Sequence, residues 1–181
     1  MTSIFKSVSA SHITISELML PSHTNFSGKI HGGYILSLLD QIAFASASKF
    51  SGHYCVTASV DTVNFLQPIE VGELVTMKAS VNYVGRSSMI VGIRVESENI
   101  QTGLVKHCNS SYFTMVAKNE LGKSVSVPGL ILRTENDVRR FSNCLKQIEL
   151  KKIHEEHEEV FDFYSPENLK NITKYNIKLE L

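Results

Sequence analysis

The chain has 181 residues, 43% of them hydrophobic and 20% charged. That is enough apolar matter for one domain with a real core plus a remainder, and it excludes a disordered chain. Eighteen Lys and Arg cancel eighteen Asp and Glu, which argues against broad electrostatic capture of nucleic acid or of an anionic membrane.

In chain order, Ile13–Met19 alternates as a short strand, and Pro21–Lys29 is a loop of turn formers. Ile30–Lys49 reads as a helix, with Tyr34, Ile35, Leu38, Leu39, Ile42 and Phe44 at helical spacing. Val56, Ala58 and Val60 then alternate with Thr57, Ser59 and Asp61. Three longer β runs follow at Leu74–Val84, Ser87–Ser97 and Leu104–Val116, joined through Gly72, Gly85-Arg86 and Thr102-Gly103. One helix is too few for a parallel doubly wound fold, which needs a helix at every crossover. The expectation is a mainly antiparallel sheet wrapped on one helix.

All ten glycines lie before residue 134, and the last 48 residues hold half of the 36 charges. The composition breaks after Pro128-Gly129, so a compact domain is expected at 8–127 and a charged, largely helical tail at 128–181. In that tail Val138, Phe141, Leu145 and Ile148 fall on one stripe of a helix over Asp137–His154.

Cys55, Cys108 and Cys144 stand far apart, so neither a disulfide framework nor zinc-ligand spacing is read, and no metal is expected. The most apolar stretch, Ile30–Ser48, is interrupted by Gly32, Gly33, Ser37, Asp40 and Gln41 and falls short of a membrane span. Met1–Ser11 has no apolar run of the signal-peptide kind. The reading is a cytoplasmic protein with no membrane or nucleic-acid partner.

Three features carry chemistry. Asp40 is the one charged residue between Ile30 and Ser48, with Leu36, Ala43 and Phe44 on its helix face. A carboxylate so placed is either a working group or one turned to a solvated gap. His31-Gly32-Gly33 opens the helix, where free N–H groups and the positive dipole end suit a polarised carbonyl oxygen; a tightly packed helix start would look the same. Val84-Gly85-Arg86-Ser87-Ser88 offers a guanidinium and two hydroxyls on a tight turn, a fit for phosphate oxygens as well as for a plain hairpin tip. The helix is apolar nearly all round, so one sheet cannot cover it and a second copy of the chain is expected on its other side. Gly32 and Asp40 lie eight residues apart, roughly 12 Å along the axis. One small carbonyl reaches both only if they come from different subunits.

These residues form a set. Thr24-Asn25-Phe26-Ser27-Gly28-Lys29-Ile30-His31-Gly32-Gly33, Leu39-Asp40, Val60-Asp61-Thr62-Val63-Asn64-Phe65, Pro68-Ile69 with Val71-Gly72-Glu73, and Val84-Gly85-Arg86-Ser87-Ser88 together resemble the hotdog-fold acyl-CoA thioesterases, YciA-like and brain-type acyl-CoA hydrolases, over about residues 12–123. The resemblance implies an α+β hotdog fold, an antiparallel sheet around one long central helix, here with a helical C-terminal extension. It implies hydrolysis of acyl-CoA to a free acid and coenzyme A by homodimers or trimers of dimers with shared sites, and no cofactor beyond the coenzyme A of the substrate. Catalytic roles would fall to Asp40, as general base on water or as direct nucleophile, to the amides at Gly32 and Gly33, and to Asn25. Gly85, Arg86, Ser87 and Ser88 would bind coenzyme A. Lys29 stands where the brain-type relatives have an asparagine. Two rival readings are a hotdog dehydratase using His31 with Asp40, and a non-catalytic acyl-CoA-binding regulator.

Overall fold

The structure is a computed structural model that describes residues 4–158 and 162–178, with the backbone alone for 154 and 156–158. It divides into two compact units, Met1–Cys144 and Leu145–Leu181.

The first unit holds the sheet. Strands β1 (Phe5–Ser7), β2 (Ile13–Leu18), β3 (Tyr54–Val60), β4 (Glu73–Val84), β5 (Ser88–Asn99), β6 (Leu104–Lys118) and β7 (Gly129–Ile131) accompany helix α1 (Gly32–Ser51). Five strands form one antiparallel sheet in the order β2-β4-β5-β6-β3, and β1 pairs with β7 in a separate parallel ribbon. The meander and single helix match the expected hotdog architecture.

Period-two patterning places the core. Val75, Met77, Ala79 and Val81 of β4, Met89, Val91, Ile93 and Val95 of β5, and Phe113, Met115 and Ala117 of β6 all face α1 and are buried. From the helix come Ile35, Leu39, Ile42, Ala43, Ala47 and Phe50, each essentially inaccessible. Truncating a side chain such as Ile42 to Ala would cost about 2–5 kcal/mol through lost burial and the cavity left behind. The helix stops at Gly52, whose φ of 76° is the left-handed cap that returns its N–H to Ser48 O.

Burial of α1 is one-sided within the chain. Leu36 and Phe44 remain 36% and 38% exposed, and Asp40 between them is exposed. The strip Leu36–Asp40–Phe44 repeats every four residues, so it forms one line along the helix. It runs beside β3, an edge strand paired only with β6. The facing of β3 is also specific: Cys55 and Thr57, not Val56 and Ala58, lie opposite the core residues Ala117 and Met115. Thr57 therefore points toward the helix although the alternation of apolar residues singles out its neighbours.

Helix α2 (Glu135–Glu158) begins inside the first unit. Its Phe141 ring packs against Tyr83 at 5.5 Å, and Cys144 is 1% exposed. Burial, helped by the charge of Asp61, pushes the Cys144 thiol up to about 11. The unit thus runs past the compositional break at Pro128-Gly129, because apolar residues just beyond that break pack on the sheet. In the second unit Leu145 and Ile148 are exposed, and α3 (Pro166–Ile172) is capped by Ser165 Oγ, which accepts from Asn168 N–H at 3.3 Å. No helix among the described residues is long and apolar enough to cross a membrane.

Candidate functional site

The start of α1 is held by two loops. Ile30 N–H donates to Ile69 O at 3.0 Å and His31 N–H to His23 O at 2.8 Å. His23 stacks on Tyr34 at 4.0 Å, and the Tyr34 hydroxyl donates to Glu17. That hydrogen bond to a carboxylate, with partial burial, raises the phenol above its ordinary range. The second loop is tied at its end by Glu73, 6% exposed, which accepts from Glu70 N–H, Ser97 Oγ and Lys106 Nζ. Burial pushes the Glu73 carboxyl up, but these donors outweigh it and leave it below the usual carboxylate range.

His31 is the N-cap. Its Nδ1 accepts from Gly33 N–H at 2.9 Å. The amide proton of Gly33 is therefore engaged, and the free amide at this helix end, among the described residues, is that of Gly32. Gly33 is crowded, whereas a side chain at Gly32 would meet only an ordinary contact. A Cβ on Gly33 would lie 2.8 Å from the His31 ring, and one on Gly32 3.4 Å from the Phe65 ring. Gly32 opens onto a cleft of about 360 Å³ lined also by Asn25, Lys29, Ile35, Phe65 and Leu66. Asn25 Oδ1 is occupied by Ser27 N–H, Ser27 Oγ and Lys29 N–H, which folds the loop into a tight Asx turn. Its Nδ2 donates to no acceptor among the described residues. Lys29 turns to Glu70 at 2.6 Å in a half-exposed ion pair.

Asp40 lies apart from this cleft, eight residues along α1, so roughly 12 Å away. Its Oδ1 accepts from Thr57 Oγ1 at 2.5 Å. Thr57 was not singled out by motif reading, since a threonine in an alternating strand is ordinary. The signal that could have found it is the facing of β3, which register alone decides. The hydrogen bond fixes one carboxylate oxygen and leaves the other toward open space.

The Gly85–Ser88 turn closes by Gly85 N–H to Ser88 O at 2.8 Å. Ser87 O accepts from Ala117 N–H and Arg86 O from Val127 N–H, so the 125–127 segment buttresses the turn. Arg86 is exposed, and no carboxylate among the described residues pairs with it. Sheet register sets Ser88, Val116 and Val56 side by side. Two strand spacings, about 10 Å, therefore separate this turn from the strand that carries Thr57. One chain thus presents two clusters: Asn25 with Gly32 at the helix start, and Asp40–Thr57 with the Arg86 turn near mid-helix level.

A curled antiparallel sheet closed over one long helix, with an open amide at the helix start and a carboxylate on its outward strip, defines a hotdog-type protein. The thioesterase superfamily model matches residues 27–104. Protein VdlD of Helicobacter pylori is 44% identical over 139 residues, 77% of this chain and 79% of that one. The uncharacterized acyl-CoA thioester hydrolase YkhA of Bacillus subtilis is 32% identical over 147 residues, 81% and 86% of the two chains. Among solved structures, an apo-hexameric acyl-CoA thioesterase superposes with a TM-score of 0.81 at 35% identity, over 83% of this chain and 97% of that one. The Staphylococcus aureus acyl-CoA hydrolase, in complex with butyryl coenzyme A, coenzyme A and coenzyme A disulfide, superposes with a TM-score of 0.79 at 30% identity, over 86% and 94%. The chain belongs to the thioesterase superfamily.

The Staphylococcus aureus enzyme has also been solved with an asparagine, an aspartate and a threonine each replaced by alanine; the first two stand 15 residues apart and the last two 17. Asn25, Asp40 and Thr57 have the same two separations. Lys29 does not.

Proposed function

We propose that this protein hydrolyses acyl-CoA thioesters to a carboxylic acid and coenzyme A, in sites that each draw on two copies of the chain. The observation that carries the reading is the Asp40–Thr57 hydrogen bond on the outward strip of α1, within a triad of Asn25, Asp40 and Thr57 spaced as in the relative's three variants.

Water held at the open oxygen of Asp40 attacks the thioester carbon and gives its proton to that carboxylate. The carbonyl oxygen gains negative charge as the tetrahedral intermediate forms, and Gly32 N–H and Asn25 Nδ2 donate to it. The C–S bond then breaks, the thiolate of coenzyme A leaves, and the proton held by Asp40 is returned to product or solvent. A thiolate is a good leaving group, so the step requires no strong acid beside the sulfur. Arg86, with the Ser87 and Ser88 hydroxyls on the Gly85 turn, takes phosphate oxygens of coenzyme A. The chemistry calls on no metal or further cofactor.

Two copies are needed because Gly32 and Asp40 of one helix are too far apart to meet at one carbonyl. Two antiparallel α1 helices would set the start of each against Asp40 of the other. The exposed Leu36 and Phe44 and the free edge of β3, which has neither Pro nor charged residues to block pairing, support that contact. An even-numbered assembly follows, dimer or trimer of dimers.

The His31–Asp40 dehydratase reading is disfavoured because His31 Nδ1 is tied to Gly33 N–H and nine residues separate the two groups. Thiol release from acetyl-, butyryl-, hexanoyl- and palmitoyl-CoA tests the activity; binding without thiol release would refute it. Mixing Asn25→Ala with Asp40→Asn tests the sharing. Mixed pairs contain one intact site, so random pairing restores about a quarter of the sites, and no recovery would refute a shared site.

A further inference from the structure

The face of the sheet turned away from α1 is polar, and it carries a cavity of about 400 Å³ within the first unit. Lys78 of β4 and Arg94 of β5 stand directly opposite each other there. Like charges so placed are unfavourable. They are bridged by Glu96, which accepts from both at 2.7 Å. From α2 come Arg139 and Arg140. Arg140 Nη1 donates to Ser80 Oγ at 3.2 Å, and among the described residues Arg139 donates only to Asn136. Asp137, whose carboxylate Arg140 helps to stabilise, spends its Oδ2 on the backbone of Arg133 and Thr134. Four cationic groups thus surround the space: Lys78 and Arg94 share the carboxylate of Glu96, and neither Arg139 nor Arg140 is hydrogen-bonded to a carboxylate among the described residues.

The floor of the cavity carries an independent sign. Asn82 is 4% exposed, and its Oδ1 is taken by Ser80 Oγ at 2.9 Å. Its Nδ2 lies over Gly92, close enough that a Cβ there would be 2.1 Å away, and donates to no acceptor among the described residues. This amide donor, on a side chain that is 4% exposed and lines a basic cavity, is free to meet an anion oxygen. Guanidinium pairs give phosphate oxygens parallel N–H donors.

We infer that this cavity is a second binding site, separate from the thioester site, for a small phosphorylated molecule carrying at least two negative charges. Asn82 Nδ2 donates to one phosphate oxygen, and Arg139, Arg140 and the Lys78–Arg94 pair hold the others. None of these residues belongs to the Asn25–Gly32 cleft, the Asp40–Thr57 pair or the Arg86 turn, so the site stands or falls independently of the hydrolase reading.

Titration calorimetry of the full assembled protein with inorganic phosphate and with pyrophosphate, at low salt, tests it. Pyrophosphate should bind saturably at one site per chain with a Kd below about 1 mM. Arg139→Ala, an exposed substitution, should weaken binding by about tenfold or more. Glu96→Gln should tighten it several-fold by releasing Lys78 and Arg94. Arg86→Ala should leave it unchanged, which separates this cavity from the coenzyme A turn. Absence of saturable binding, as when a second copy of the chain covers this face, would overturn the inference. So would an unaltered Kd in Arg139→Ala or Glu96→Gln, or loss of binding in Arg86→Ala.

Discussion

Asp40→Asn is the most direct test of the proposed chemistry. Asp40 is exposed, and its one hydrogen bond among the described residues is accepted from Thr57 Oγ1 at 2.5 Å. An asparagine keeps an oxygen for that hydroxyl and the same side-chain volume, so stability should change by no more than about 0.5 kcal/mol. What it loses is a group able to take a proton from water. Removing a positioned general base costs about a hundredfold to ten-thousandfold in rate, equivalent to about 3–5 kcal/mol of transition-state stabilisation. The measurement is kcat for thiol release from butyryl-CoA, alongside oligomeric mass and thermal melting of the same sample. We expect unchanged mass and melting with kcat lower by at least about a hundredfold. Thr57→Val, which frees the carboxylate without removing it, should lose less, about tenfold, and mainly in kcat. An assembled Asp40→Asn protein with kcat within a few-fold of the parent would refute the mechanism.

Arg86→Ala should chiefly raise KM for acyl-CoA and have little effect on a short pantetheine thioester, because a phosphate contact far from the reacting carbon supplies uniform binding; equal loss on both substrates would show a structural role for the turn. Glu96, hydrogen-bonded first to Lys78 and then to Arg94, is lowered to about 2. Its contribution is complete above the ordinary carboxylate range and is lost as pH falls toward about 2. With Lys78 and Arg94 about half exposed, that contribution is about 1 kcal/mol after solvent screening. The stability gap between parent and Glu96→Gln in urea should therefore close between pH 4.5 and about 2. Gly92→Ala should cost about 1–3 kcal/mol, since the new methyl group displaces the Asn82 amide; thermal melting would register it. Truncation after Cys144 keeps every buried residue of the first unit, and kcat on a short acyl-CoA should stay within a few-fold; a correctly assembled but inactive truncation would place part of the site in residues 145–181.

Much of this protein is legible along the chain. Alternation over Leu74–Val84, Ser87–Ser97 and Leu104–Val116, one helical run and a glycine at each turn specify an antiparallel meander on a single helix. These are local patterns, and the periods of strand and helix are local physics. Asp40 stood out for the same reason, as a charge inside an apolar period, and Asn25, Gly32 and the Gly85–Ser88 turn were found as motifs. Tertiary structure alone decided how those residues are placed. His31 occupies the Gly33 amide because the cap folds back on the helix, leaving Gly32 as the open donor. Thr57 meets Asp40 because the pairing of β3 with β6 turns Cys55 and Thr57 toward the core side, and a one-residue choice of facing cannot be read from a strand where both sets contain small residues. The basic cavity draws on β2, β4, β5, β6 and α2, with lining residues as far apart in the chain as His12 and Arg140. Periodicity records what each segment buries; which charges then share a space depends on strand order and register, and those are settled only when the segments pack.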